Sequence, residues 1–104
     1  MKPLVKNAAS KEQVENAAFE MEERRNRELN DLRLVLSTKE GRRVMWRFMS
    51  HCKAFEGIWD GSARIHYNSG RQDVGHFLIK EVEAADQDAF FTMMKEAKEN
   101  LKNV

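Results

Sequence analysis

LSTKEGRRVMWRFMSHCKAF, residues 36 to 55, brings arginines, a tryptophan, a histidine and the single cysteine of the chain into one short run. Ser37 and Glu40 predict a capping box, Ser-Thr-Lys-Glu, that ends one helix and starts the next near Thr38. At about 100° per residue, Val44, Met45, Phe48, Met49 and Cys52 share about 140° of one face, and Phe55 returns to the same side. Arg43, Arg47 and Ser50 take the opposite face, Arg42 and Trp46 lie toward one border, and His51 lies at the other. The run therefore reads as an amphipathic helix, and Cys52 points inward as a structural thiol. A nucleophilic cysteine needs exposure and an oriented base, whereas His51 and Cys52, adjacent on a helix, diverge by about 100°.

Outward from this helix the composition is also helical. The chain has 104 residues, 41% hydrophobic and 34% charged, with one proline and five glycines. A sheet protein needs more turn residues and more β-branched runs. Ser10, with Gln13 three residues on, predicts an N-cap, and nothing between it and Leu36 breaks a helix. That helix is about 39 Å long at 1.5 Å per residue, more than a domain of this size needs along one side. Its apolar positions fall in two groups. Val14, Ala17, Ala18, Phe19 and Met21 precede the charged run EERRNRE at residues 22 to 28, and Leu29, Leu32, Val35 and Leu36 follow it. The second group docks on the domain and the first protrudes, so Val14, Ala18, Phe19 and Met21 are candidate protein-interaction residues. Residues 1 to 9 carry the only proline and read as a flexible tail.

After the opening stretch, KAFEGIWDGS at 53 to 62 reads as a linker, with Ile58 and Trp59 covering one end of the core. Ser62 predicts the cap of a third helix reaching about Ala84. Its apolar face is Ala63, Tyr67, Gly70, Val74, Phe77, Leu78 and Val82, while Asn68, Gln72, Asp73, His76 and Lys80 point elsewhere. Gly70 and Gly75 suggest close packing or a bend. Asp86 predicts the cap of a fourth helix whose apolar positions are Ala89, Phe90, Met93, Met94, Ala97 and Leu101. The expected architecture is a small all-α domain of about four helices with a long protruding N-terminal helix: tail 1–9, extension 10–36, compact domain 37–104.

The net charge of +1 is unevenly spread. Residues 1–40 are neutral, 41–71 carry +4 and 72–104 carry −3. Arg42, Arg43 and Arg47 form a candidate face for an anion or an acidic partner, and the acidic C-terminal third is the nearest such partner. No cofactor is expected. His51, Cys52, His66 and His76 show neither a CxxC nor an HExxH spacing, so no metal and no catalytic residue is assigned. No secretory signal is recognisable, and there is no apolar run of about 18 residues able to span a bilayer.

Residues 34 to 97 resemble a family. Leu-Ser-Thr-x-Glu-Gly-Arg-Arg-Val at 36 to 44, Trp46, Cys52, Asn-x-Gly-Arg at 68 to 71, Val74-Gly75 and Ala85-Asp86 together are similar to the small tailed-bacteriophage domain family named after a Bordetella phage protein. The resemblance implies a phage gene among those for the head and DNA delivery, and it carries over no catalytic residues. The expected role is a non-enzymatic, virion-associated structural or assembly component at the capsid, portal or ejection machinery. Its partners are other phage structural proteins or further copies of itself, in the host cytoplasm during infection or in the virion. Two alternatives belong to other classes. One is a phage effector that inhibits a host protein. The other, ranked lower, is a nucleic-acid binder using Arg42, Arg43, Arg47, Lys53, Arg64 and Arg71, whose affinity would fall steeply with salt.

Overall fold

The computed structural model describes residues 2–102, with side chains described for residues 10–101. Among the described residues there are four α-helices and no strand: α1 (Lys2–Leu36), α2 (Lys39–His51), α3 (Arg64–Ala85) and α4 (Gln87–Lys102). The all-α architecture and the long first helix are as expected. The start of that helix is not. α1 runs unbroken through Ser10, which therefore caps nothing. Pro3 sits in the first turn, where an N–H has no intrahelical partner to lose, so the backbone of residues 2–9 continues the helix in place of a tail. Met1, the first residue of that expected tail, lies outside the described residues.

The corner between α1 and α2 is made one residue later than the sequence suggests. Thr38, not Ser37, is the N-cap of α2, and its hydroxyl accepts from the Gly41 N–H at 3.0 Å. Ser37 instead donates back to the Leu34 carbonyl at 2.6 Å, closing the last turn of α1. At its other end α2 closes with the paired bonds of a Schellman motif, Ala54 N–H to the Met49 carbonyl and Lys53 N–H to the Ser50 carbonyl. Lys53 occupies the left-handed position with φ 57°, a place where glycine is usual.

Ser62 is likewise not the cap of α3. The Asp60 carboxylate accepts from both the N–H and the hydroxyl of Ser62 at 2.9 Å, and the helix begins at Arg64 after this turn. Asp86 does both jobs expected of a one-residue corner. Its N–H closes α3 onto the Val82 carbonyl, and its carboxylate accepts from the Ala89 N–H of α4 at 3.3 Å.

The four helices make a plate. Its principal extents are 72 × 39 × 15 Å, and its radius of gyration is 20.3 Å, where a compact chain of this length would have about 13 Å. The core is correspondingly small: Leu36, Met49, Val82, Ala85, Ala89 and Met93 are buried, with Leu29, Leu32, Met45, Trp46, Leu78, Ile79 and Phe90 packed around them.

In a plate this thin much of each helix faces solvent, and this reassigns two of the expected faces. On α2 the inward centre is Met45 and Met49, not Val44 and Phe48, which are exposed. On α3 the inward line runs Asn68, Gln72, Gly75, Ile79, Val82, and Tyr67, Val74 and Phe77 are exposed. Gly75 decides the α3 register. A β-carbon there would lie 2.9 Å from Ala54 Cβ and 3.1 Å from Cys52 Cβ, so the absence of one lets α3 press against the end of α2. Gln72, one turn earlier, donates to the carbonyls of Lys53 and Glu56 and ties the α2–α3 loop to the same line. Trp59 does not cover the core: it is 85% exposed, and of the pair only Ile58 is half-buried.

Candidate functional site

Two surfaces stand out. The first is the N-terminal part of α1. The helix is anchored to the plate from Arg25 onward, by the Arg25–Glu81 ion pair at 2.8 Å, by Leu29, Leu32 and Leu36, and by Arg33 donating to the Ala85 carbonyl at the end of α3 at 2.8 Å. The hydrogen bond to Glu81 raises the Arg25 pKa, as does the charge of that carboxylate. Val35, expected among the docking residues, is instead exposed.

Between Ser10 and Arg24 no side chain is packed. Every residue from Ser10 to Arg24 is exposed, an overhang of about 22 Å at 1.5 Å per residue. On it Val14, Ala17, Ala18 and Met21 follow the i, i+3, i+4, i+7 spacing. Continued at about 100° per residue, that stripe is the same one that carries Leu29, Leu32 and Leu36, so the docking face of α1 runs on past the edge of the plate. Phe19 lies about 140° from Val14 around the helix and broadens the apolar surface. All four candidate interaction residues, Val14, Ala18, Phe19 and Met21, are thus exposed on one segment.

The second surface is a groove of about 590 Å³ between α2 and α4. Trp46 and Ser50 form one wall, Met94, Ala97 and Leu101 the other, and Lys98 stands at the rim. The opening is apolar because the edge of α4 outlasts the core: Ala89 and Met93 are buried, Phe90 and Ala97 half-buried, and Met94 and Leu101 exposed. Phe55 stacks on Trp46 with ring centroids 4.5 Å apart, which holds the indole in place as part of the wall.

The three candidate arginines separate at this groove. Arg42 is spent internally, its Nε donating to Glu96 at 2.7 Å and its other nitrogen to the Leu36 carbonyl at 2.9 Å. With side chains 19% and 17% exposed, Arg42 and Glu96 clasp α2, α4 and the end of α1. This is a pairing of the basic middle of the chain with its acidic C-terminal third inside one molecule. Arg43 and Arg47 are exposed, and among the described residues neither takes part in an ion pair. Arg43 lines the small pocket that adjoins the groove at Trp46 and Ala97, and Arg47 follows it by one turn on the same side of α2, so positive charge flanks the groove on the α2 side as Lys98 does on the α4 side.

Lys53, Arg64 and Arg71, the other basic residues of the nucleic-acid alternative, line a separate polar pocket with Asp60, Tyr67 and Asn68. Arg71 is already engaged there, donating to the His51 carbonyl and lying over the Tyr67 ring. The six basic residues therefore do not form one continuous face. Hydrogen bonds from the Ser62 N–H and hydroxyl hold the Asp60 carboxyl below its usual range, so Asp60 stays ionised beside Arg64.

Cys52 is half-buried at the C-cap of α2 against Gly75, a packing position, although it is not enclosed as the sequence suggests. His51, His66 and His76 are exposed, and among the described residues no group of three or more His, Cys, Asp or Glu side chains gathers as a metal site would require. No described helix is long and apolar enough to cross a membrane. No protein-family profile, curated protein or solved structure matches the chain. The overhang was legible in the sequence as an apolar group beyond a charged run. The groove was not, because its walls come from residues about fifty positions apart.

Proposed function

We propose that the chain is a non-enzymatic assembly protein that acts through protein–protein contacts, with the α1 overhang as its docking element. One observation carries this: over about 22 Å, from Ser10 to Arg24, an amphipathic helix stands beyond its own domain with its apolar stripe uncovered. A helix of that length without tertiary packing is marginal in water, and a partner that buries Val14, Ala18 and Met21 supplies the missing stabilisation. The setting proposed is a tailed-phage particle, at the capsid, portal or ejection machinery. That placement rests on the resemblance of residues 34–97 alone.

The deciding experiment removes residues 1 to 21. No packing contact described above lies before Arg25, so the truncated chain should keep its helical circular dichroism and its cooperative unfolding. It should also disappear from purified particles, in which mass spectrometry should detect the intact chain. A truncated protein that is incorporated like the full-length one refutes the docking role, and an intact chain absent from particles refutes the virion placement.

A further inference from the structure

We propose that the partner of the overhang is a second copy of this chain, and that two copies exchange α1 overhangs, each lying in the α2–α4 groove of the other. This rests on the overhang being a docking element and adds what it docks on.

Shape and length agree. Val14 and Met21 bound the stripe of the overhang and are seven residues apart, as are Met94 and Leu101 along the groove, so both run about 10 Å along a helix. The stripe is flat in its middle, where Ala17 and Ala18 stand, and the groove is shallow where Ser50 and Ala97 stand, which permits close helix approach. Trp46 and Leu101 are then free to cover Met21 and Val14.

Charge agrees as well. From Ser10 to Arg24 the overhang carries five glutamates against Lys11 and Arg24. Glu15 and Glu22, two turns apart, flank the stripe on one side and Glu20 flanks it on the other. Arg43 and Arg47 flank the groove on its α2 side, Arg43 in the pocket that adjoins it at Trp46, and Lys98 stands on the α4 rim. An acidic amphipathic helix on an apolar floor between basic rims is complementary in sign at both edges.

The chain cannot satisfy itself. α1 is one continuous helix to Leu36, so its overhang points away from the plate and cannot fold back into its own groove without breaking. The accessible surface, 8352 Å² for 12.2 kDa, exceeds the area of a compact monomer by about 2,300 Å². Taken over two copies, about 4,600 Å², that excess falls within the roughly 2,000–5,000 Å² in total that obligate homodimers bury. A two-fold axis lets each copy give its helix and receive the other's, which closes the assembly at two.

The test uses the full chain and two charge reversals. Sedimentation equilibrium of the wild type should give twice the chain mass, with a dissociation constant in the micromolar range or below. Arg43→Glu with Arg47→Glu reverses the groove, and Glu15→Lys with Glu22→Lys reverses the helix. Each double variant alone faces like charge across both contacts, and its dimer should weaken roughly tenfold or more at low salt. Mixed in equal amounts, the two should recover a heterodimer, because every helix then meets a groove of opposite charge. Circular dichroism verifies that both variants remain folded. A wild type that stays monomeric at hundreds of micromolar, a dimer indifferent to both reversals, or folded variants that fail to recover on mixing would each overturn the exchange. If the wild type is monomeric and yet deletion of residues 1–21 still removes the chain from particles, only the exchange falls. If that deletion changes nothing, the docking role falls too.

Discussion

Gly41 and Gly70 are both helical glycines, and helix propensity alone says that alanine at either should stabilise the fold by about 1 kcal/mol. The structure separates them. Around Gly70 nothing lies within 4 Å of where a β-carbon would stand, so Gly70→Ala should realise that gain and raise the thermal midpoint by about 4–8 °C. At Gly41 the new carbon would lie 1.8 Å from the Val35 carbonyl oxygen and 2.8 Å from the carbonyl carbon, where a close carbon–oxygen contact needs about 3.3 Å. The overlap of about 1.5 Å is with backbone, which no rotamer change relieves. The end of α1 has to lift off the start of α2. That movement strains the hydrogen bond from Arg42 to the Leu36 carbonyl and the cap from Thr38 to Gly41. The cost should be about 3 kcal/mol or more, against the propensity gain of about 1 kcal/mol. Urea unfolding followed by circular dichroism measures both variants, at matched protein concentration because self-association adds to stability by mass action. A Gly41→Ala protein as stable as the wild type would show that the close approach of α1 to α2 is not how the corner is built.

Further outcomes follow from single contacts. Arg42→Ala should cost about 2–3 kcal/mol in the same assay, since it removes two charge-assisted bonds and strands a half-buried Glu96. Lys53→Gly should stabilise by about 0.5–1 kcal/mol because it relieves a left-handed backbone at the Schellman position, and a loss of stability there would refute that assignment. The Asp60 carboxyl has a folded-state pKa below its unfolded value of about 3.9. Its contribution is therefore fully present above that value and fades as pH falls through the lower folded one, so Ser62→Ala should lower stability at neutral pH, converge with the wild type in acid, and so flatten the acid limb of a stability–pH profile.

The periodicity of residues 36 to 55 and of 86 to 101, together with the scarcity of proline and glycine, determined that the chain is all-α, and it placed α2, α4 and the Asp86 corner to within a residue or two. The overhang was equally legible. A 3.6-residue stripe that outlasts a charged interruption needs no partner coordinates to be seen, so Val14, Ala18 and Met21 could be named from spacing, with Phe19 as an apolar neighbour off the stripe. Faces were less secure. A helical wheel ranks residues by hydrophobicity, but in a plate 15 Å thick the inward direction is set by which neighbours lie beside a helix, and this turned Val44, Phe48, Tyr67 and Val74 outward. Gly75 controls the α3 contact through the atom it lacks, which no hydrophobic pattern records. The arginines show the same division. Arg42 and Arg43 are neighbours of one type in the sequence, and only the tertiary structure, by bringing Glu96 and the Leu36 carbonyl to one of them, makes the first a clasp and leaves the second on the rim of a groove.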